Sequence, residues 1–250
     1  SVIRVFELLC HCSGVGCGEM GWVLDRSLGC PELTTAYYAK QPLSFDPYAD
    51  QAYSGSASWV VISRVLELVT GESFGPYVYD HICKPLGLVD TTFEPTEEQF
   101  SRLVTLHKRD ENGKSCDVTD FTKPGDVIPS EPAGAWCAGA AMITSCEEYS
   151  TFAEMLLNYG LAPNGNRILT EKSVRLMQTP HLPEFIMGGS QRYGLGARVV
   201  TTAEYPHKLP IGSWGWSGAF GSHCWIDPVN RVTAVMMRST RVDGGAGADC

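Results

Sequence analysis

The sequence predicts an α+β fold in which an antiparallel sheet is flanked by helices. Its 250 residues are enough to bury a core, and a content of 44% apolar and 19% charged residues is typical of a globular protein. Helical patterns separated by loops fill the first two thirds of the chain, and strand patterns with a hairpin signal follow. The end of the chain is therefore expected to form an antiparallel sheet.

The most distinct helical pattern follows Ser56, which can cap it, and ends at Gly71, a residue suited to the C′ position. Its apolar residues are expected on one face: Trp59, Ile62, Leu66 and Val69. A second helix is expected from Ser73 to about Cys83, and the segment KPLGLVDTTF is expected to lead from it into a short strand.

Two later helices are indicated by their first residues. SCEE at Ser145 to Glu148 is a capping box for a helix that ends near Gly160, and Thr170 is expected to cap another. The apolar residues of these two helices are Phe152, Met155, Leu156, Val174 and Met177.

Strand patterns dominate the last part of the chain. Strands are expected over residues 193–200, 222–227 and 231–237, the last two joined as a hairpin across Asp227 to Asn230. Residues 100–131 are polar and turn-rich, with DENGK as a hairpin tip. No sharp linker interrupts the sequence, so residues 1–250 are expected to form a single domain.

Composition argues against several classes of partner. The net charge of −9 is spread along the chain without a basic run, so nucleic acid is not an expected partner. Apolar runs such as Trp59 to Ile62 fall far short of the roughly 20 residues that cross a bilayer. There is no P-loop, no convincing dinucleotide fingerprint, and no Gly-x-Ser-x-Gly elbow beside a strand.

Ten cysteines raise the question of a metal site. Cys10, Cys12, Cys17 and Cys30 crowd around His11, but zinc sites usually present CxxC pairs, whereas Cys10-His11-Cys12 alternates within an apolar run. We therefore expect no metal and no cofactor. A chain of this length does not need disulfides, so free thiols and a reducing, cytoplasmic compartment are slightly favoured.

Tyr53 lies in a turn, SFDPYADQAYS, directly before the first helix described above. A tyrosine can act as a general base only where neighbouring cations lower its pKa from about 10 toward neutrality. The alternative is that its ring packs and its hydroxyl hydrogen-bonds outward.

A second candidate segment is WGWSGAF, residues 214–220, which leads into the hairpin strands. Glycine beside a strand lets a ligand approach the backbone, and the amide of Ala219 could donate to the oxyanion of a tetrahedral intermediate. The alternative is a glycine-rich turn into an edge strand.

Taken together and in this order, these segments resemble the serine β-lactamase, penicillin-binding protein and esterase superfamily. IRVFELLCHCSGV (residues 3–15) resembles its apolar run into a His-x-Ser-Gly turn, and FDPYADQAYSGS its approach to a Tyr-x-Asn motif. Later segments, including PAGAWCAGAAMITSCEEYSTFAEMLL and YGLGARVV, match in order over nearly the whole chain. The resemblance implies a β-lactamase/transpeptidase-like fold and acyl transfer through a serine ester.

The chain departs from all three motifs of that superfamily. Ser-x-x-Lys, whose lysine activates the nucleophile, is absent. In the family it precedes the region resembling residues 3–15, so the chain is expected to lack the N-terminal part of the fold. Its end also lacks the family's usual closing helix. The nucleophile would then come from a longer protein or a second polypeptide.

At the other two motifs the resemblance is partial. Tyr53 and Ser54 match, but Gly55 replaces the asparagine that would hold substrate amides. Trp216-Ser217-Gly218 takes the place of Lys-Thr-Gly, so the cation for a substrate carboxylate is missing, as in the esterase and transesterase branch. The resemblance thus assigns catalysis to Tyr53 and Ala219, and substrate binding to Ser54, Gly55, Trp216, Ser217 and Gly218.

The function expected from this resemblance is a serine hydrolase that acts on a small ester or amide through an acyl-enzyme, with uncharged esters favoured by Trp216. The isolated chain is expected to be inactive. Two alternatives stay open: an acyltransferase of the same fold, and a non-catalytic fragment or pseudoenzyme.

Overall fold

The computed structural model describes residues 2–17, 31–55, 57–117, 119, 138–139, 142–204, 208–218 and 220–240. The helices in these residues are α1 (Val5–Leu9), α2 (Pro31–Tyr38), α3 (Ala57–Thr70), α4 (Phe74–Val78), α5 (Lys84–Leu86), α6 (Glu97–Ser101), α7 (Cys146–Leu157) and α8 (Glu171–Met177). A π-helical turn, Tyr79–Cys83, joins α4 to α5. The strands are β1 (His107–Arg109), β2 (Ser115–Asp117), β3 (Gln191–Tyr193), β4 (Arg198–Val200), β5 (Trp214–Ser217), β6 (His223–Asp227) and β7 (Val232–Met236).

A five-stranded antiparallel sheet, in the order β3-β4-β5-β6-β7, forms the centre of the described structure. Strands β1 and β2 form a separate two-stranded hairpin with the expected tip at Asp110 to Lys114. His107 of β1 bridges to Thr240, shortly after β7. An antiparallel sheet flanked by helices confirms the predicted fold class. Among the described residues, no helix is long and apolar enough to span a bilayer.

Helix α7 covers one face of this sheet. Met155 and Leu156 are buried against Val199, Trp214 and Ile226 of strands β4, β5 and β6. Most of the main core therefore lies between α7 and the middle of the sheet.

The N-terminus of α7 is capped as predicted, but only in part. The Ser145 hydroxyl accepts a hydrogen bond from the Glu148 amide at 3.1 Å. The Glu148 carboxylate does not complete the capping box. It accepts instead from the amides of Val89 and Asp90 and from the Thr91 hydroxyl, at 2.6 to 2.9 Å, and so ties a distant loop to the helix.

Helix α3 has the predicted bounds and ends at Gly71, whose φ of 77° is the left-handed conformation that glycine favours. Three of the four apolar residues expected on one face are half-buried, and Ile62 packs against a core cluster that includes Leu8. The fourth, Val69, is 81% exposed. The reason is that α3 packs mainly through its first half, so its last turn has no neighbour to cover it. Ser56 lies outside the described residues.

The helical segment after Ser73 runs further than expected. It continues through the π-helical turn into α5 and ends at Gly87, with φ 78°. The short strand predicted after it is reduced to a single bridge between Thr92 and Ile143. Helix α8 is capped by Thr170, as predicted.

The prediction of one strand over residues 193–200 is wrong. The chain turns between β3 and β4, where the Gly194 amide donates to the Ala197 carbonyl at 2.9 Å. Strand β5, which the sequence patterns did not indicate, fills the position between β4 and β6. The β6–β7 hairpin across Asp227 to Asn230 is confirmed, since Asp227 pairs with Val232.

Candidate active site

Tyr53 and Trp216 meet although they come from distant parts of the sequence. Tyr53 lies in the loop directly before α3, and Trp216 lies near the end of β5. Their ring centroids are 5.6 Å apart, and the Tyr53 side chain is 40% exposed. A molecule that binds against the Tyr53 and Trp216 rings would therefore contact the Tyr53 phenol.

The surroundings of Tyr53 keep its phenol protonated. Partial burial raises its pKa above 10, and this outweighs the opposing effects of the Arg198 charge and of a hydrogen bond from the Trp216 side chain. A neutral phenol can donate a proton, but it accepts one poorly. The low pKa that a tyrosine base would need is thus absent in these surroundings.

Ser54 and Gly55, the other two residues of this motif, are fixed by local contacts. Ser54 is fully buried, and its hydroxyl donates to the Val15 carbonyl at 2.7 Å and accepts from the Ser58 amide at 3.2 Å. A Cβ on Gly55 would lie 2.9 Å from the Tyr53 ring. The asparagine expected at this position would therefore press against the tyrosine.

Ser217 and Gly218 follow Trp216 at the end of β5. The Ser217 hydroxyl lies 2.7 Å from Nδ1 of His223, its partner across the strand pair. The Gly218 amide donates to the Ser222 carbonyl at 2.7 Å, so it is not free to bind an oxyanion. Ala219, the predicted oxyanion donor, lies outside the described residues.

Three residues at this site were not identified from the sequence: His11, Tyr193 and Arg198. The His11 ring lies 4.7 Å from the Tyr53 ring and 6.1 Å from the Trp216 ring, centroid to centroid. The Arg198 guanidinium lies 4.9 Å from the Trp216 ring centroid and 5.7 Å from that of Tyr193. The aromatic surface beside Tyr53 therefore carries a cation that does not belong to any of the motifs.

The signals that could have revealed these residues are weak. YGLGARVV and the His-x-Ser-Gly turn resemble family segments, but neither pattern predicts that His11 or Arg198 lies close to Tyr53. Their approach depends on the packing of α1 and on strand pairing, which are long-range features of the fold.

The cysteines near this site have no tendency to form thiolates. Cys10 and Cys12 are fully buried, and burial raises the pKa of each thiol to about 12. The Cys10 thiol donates to the Gly194 carbonyl at 3.3 Å. Cys30 lies outside the described residues. In the part of the chain that the structure describes, no three potential ligands are grouped as a metal site would require.

Two cavities of about 390 and 330 Å³ lie away from the aromatic pair. The first lies along α8, between Glu171 and Thr179, and the second lies beside α4 and the π-helical turn. Neither is lined by Tyr53 or Trp216, so neither is a continuation of the candidate site.

Comparison with known proteins supports the resemblance found in the sequence. The model of the family described as Beta-lactamase matches residues 2–249. Protein Rv1367c of Mycobacterium tuberculosis is 26% identical over 90% of this chain and 59% of its own length. Penicillin-binding protein 4 of Amycolatopsis lactamdurans is 29% identical over 70% of this chain and 44% of its own length.

Among solved structures, the chain is similar to EstCE1, described as a hydrolase with promiscuous acyltransferase activity. The TM-score is 0.78 at 23% identity, over 98% of this chain and 69% of that one. At this identity the likeness concerns the fold alone. The chain spans only about half of the length of the curated relatives it matches.

Proposed function

The chain belongs to the Beta-lactamase family, and on that premise we propose that the protein containing it is a serine hydrolase that acts on esters or amides through an acyl-enzyme. The observation that supports this most directly is the 5.6 Å separation of the Tyr53 and Trp216 rings. These residues belong to the two segments that resemble the family's Tyr-x-Asn and Lys-Thr-Gly motifs. An active site formed by both motifs requires these two segments to lie side by side.

In the proposed reaction, a serine oxygen attacks the substrate carbonyl carbon while its proton passes to the lysine amine of the Ser-x-x-Lys motif in the longer protein. That lysine returns the proton to Tyr53 after Tyr53 has protonated the leaving group. The tetrahedral intermediate then expels an alkoxide or amine, which takes up a proton, and water hydrolyses the acyl-enzyme. We assign to Tyr53 the donation of a proton to the leaving group, because its raised pKa keeps the phenol neutral. For Tyr53 to act as a base, a further cation would have to lie beside it and lower its pKa.

The nucleophile is assigned to a segment outside these 250 residues, either in a longer protein or in a second polypeptide. No Ser-x-x-Lys occurs in the sequence. Once it holds the serine proton, the lysine of such a motif is a second positive charge at the site, in addition to Arg198. It then stabilises the Tyr53 phenolate that forms when the leaving group is protonated.

Two alternatives have support of their own. The likeness to EstCE1 is compatible with transfer of the acyl group to an alcohol instead of water, with the same residues in the same roles. A non-catalytic protein is favoured by the absence of Ser-x-x-Lys from the sequence. In either case the isolated chain is expected to be inactive.

The experiment uses the longer protein and p-nitrophenyl acetate as the substrate. Tyr53→Phe should lower kcat by about a hundredfold or more, the size of effect that a positioned acid or base usually has. Tyr79→Phe, on an exposed tyrosine of the π-helical turn, should leave kcat unchanged. No hydrolysis by the unmodified protein, or equal rates in both variants, would overturn the proposal.

A further inference from the structure

His11 is a buried polar residue at the centre of the candidate site. It is 1% exposed and lies directly after α1. Its ring contacts four aromatic rings at centroid distances of 4.7 to 6.1 Å, those of Tyr53, Trp59, Tyr193 and Trp216. Its φ of 54° is left-handed, a conformation that costs energy for a residue other than glycine.

Two hydrogen bonds join His11 to the residues on either side of Tyr53. The Ala52 amide donates to the His11 carbonyl at 3.1 Å. The Ser54 amide donates to Nδ1 of the His11 ring at 3.2 Å. Through these bonds the backbone amides of the residues on both sides of Tyr53 are held at fixed positions relative to His11.

Backbone hydrogen bonds also join earlier residues of the loop to the same segment. The Tyr48 amide donates to the Cys12 carbonyl, and the Ser44 amide to the Gly14 carbonyl, each at 2.8 Å. Unlike these two backbone bonds, the bond to Nδ1 depends on the identity of the side chain at position 11.

The chemistry of the imidazole argues against a direct part in catalysis. To accept from the Ser54 amide, Nδ1 must carry no proton, so the ring proton is on Nε2. Burial, assisted by the Arg198 charge, lowers the pKa of His11 to about 4, so the ring is neutral at pH 7. A group of such low pKa is a weak base, and its burial keeps it from a substrate.

We infer that His11 is a positioning residue for Tyr53, and that its Nδ1 atom fixes the phenol by accepting the Ser54 amide. The structural part of this inference stands on the two hydrogen bonds, and its consequence for catalysis rests on the proposed function. The left-handed backbone of His11 agrees with this role, because the hydrogen bonds to the loop before α3 hold His11 in that conformation.

Asparagine and glutamine provide a matched pair of variants at this position. Both are neutral amides, but the side-chain oxygen of asparagine can occupy the place of Nδ1, whereas that of glutamine extends toward the place of Nε2. In this chain, amide hydrogen exchange measured by NMR should show Ser54 protected in the unmodified protein and in His11→Asn. In His11→Gln, Ser54 should exchange at least tenfold faster, while the amides within α7 remain unchanged.

Equal protection of Ser54 in both folded variants would overturn the inference. Should His11→Gln fail to fold, the unmodified protein decides the question between pH 6 and pH 4. The Ser54 amide shift should follow protonation of His11, and a shift that stays constant while the His11 ring titrates would overturn the inference.

The catalytic consequence is measured separately in the longer protein. His11→Asn should keep kcat within about threefold, whereas His11→Gln should lower kcat at least tenfold with KM unchanged, because a displaced phenol affects proton transfer more than binding. Equal kcat in the two variants would contradict a positioning role. Absence of any hydrolysis by the unmodified protein would refute the proposed function instead, and the exchange experiment would still test the His11 contact.

Discussion

Acidification from pH 7 to pH 5 should destabilise the protein through the buried imidazole of His11. Burial lowers the pKa of this group from 6.5 to about 4 in the folded protein. In the unfolded chain it titrates near 6.5, so between these two values the unfolded state binds more protons than the folded state. Stability therefore rises with pH over this interval, and it is lost as the pH falls from 6.5 toward 4.

The expected magnitude follows from the two pKa values. One pKa unit corresponds to about 1.4 kcal/mol, so the full effect, reached below pH 4, is roughly 3 kcal/mol. At pH 5 about 2 kcal/mol of the free energy of unfolding should already be lost. Asp90, Asp117 and Asp227 have lowered pKa values, so their contribution is lost only as the pH falls below their ordinary value of 3.8. These carboxylates therefore do not disturb a comparison made at pH 5 and above.

Urea unfolding, followed by tryptophan fluorescence at pH 7 and pH 5, measures the effect. His11→Asn has no titrating group at this position and should lose little stability between the two pH values. The reasoning is refuted if the unmodified protein is equally stable at both pH values, or if His11→Asn loses the same free energy.

Three further outcomes are expected of this chain. A fluorophosphonate or a penicillin should not acylate it, because it contains no Ser-x-x-Lys; a stoichiometric adduct in the mass spectrum, above all on Ser217, would contradict this. In urea unfolding, Gly215→Ala should lower the free energy of unfolding by about 1 to 3 kcal/mol, because the new Cβ would clash with a carbonyl oxygen of β6. The control is Gly188→Ala, where the nearest atom to the new Cβ is 3.5 Å away. This variant should change the free energy of unfolding by less than about 0.5 kcal/mol. Glu148→Gln should cost about 1 to 2 kcal/mol in the same assay, because it weakens charge-assisted bonds to two loop amides, and an unchanged midpoint would argue against their contribution.

The parts of the fold that the sequence predicted well are those set by nearby residues. Helix α3 follows from its apolar spacing and from Gly71, and the β6–β7 hairpin follows from the turn at Asp227 to Asn230. Where long-range packing determines the structure, hydrophobic spacing gave wrong predictions. Residues 193–200 read as one strand because apolar residues alternate there, but Gly194 and Gly196 allow a turn that pairs β3 with β4.

The candidate site could be predicted only through the family resemblance. On the residues alone, a packed ring is the favoured interpretation of Tyr53, and nothing in the spacing brings it to Trp216. His11 was recognised as part of a turn, yet the contact of its ring with the Ser54 amide requires α1 to place that turn beside the loop before α3. Such contacts depend on tertiary structure, which single-sequence patterns do not encode.

The charge of the site shows why a motif position is an incomplete guide to chemistry. Trp216 stands where the family has a cation, and from this alone the site would be expected to favour uncharged esters. Strand β4, however, pairs with β5 so that Arg198 lies opposite Gly215. The Arg198 guanidinium lies 4.9 Å from the centroid of the Trp216 ring. A carboxylate that binds beside Trp216 would therefore meet a positive charge from the adjacent strand, so the absence of lysine at position 216 is not sufficient reason to exclude anionic substrates.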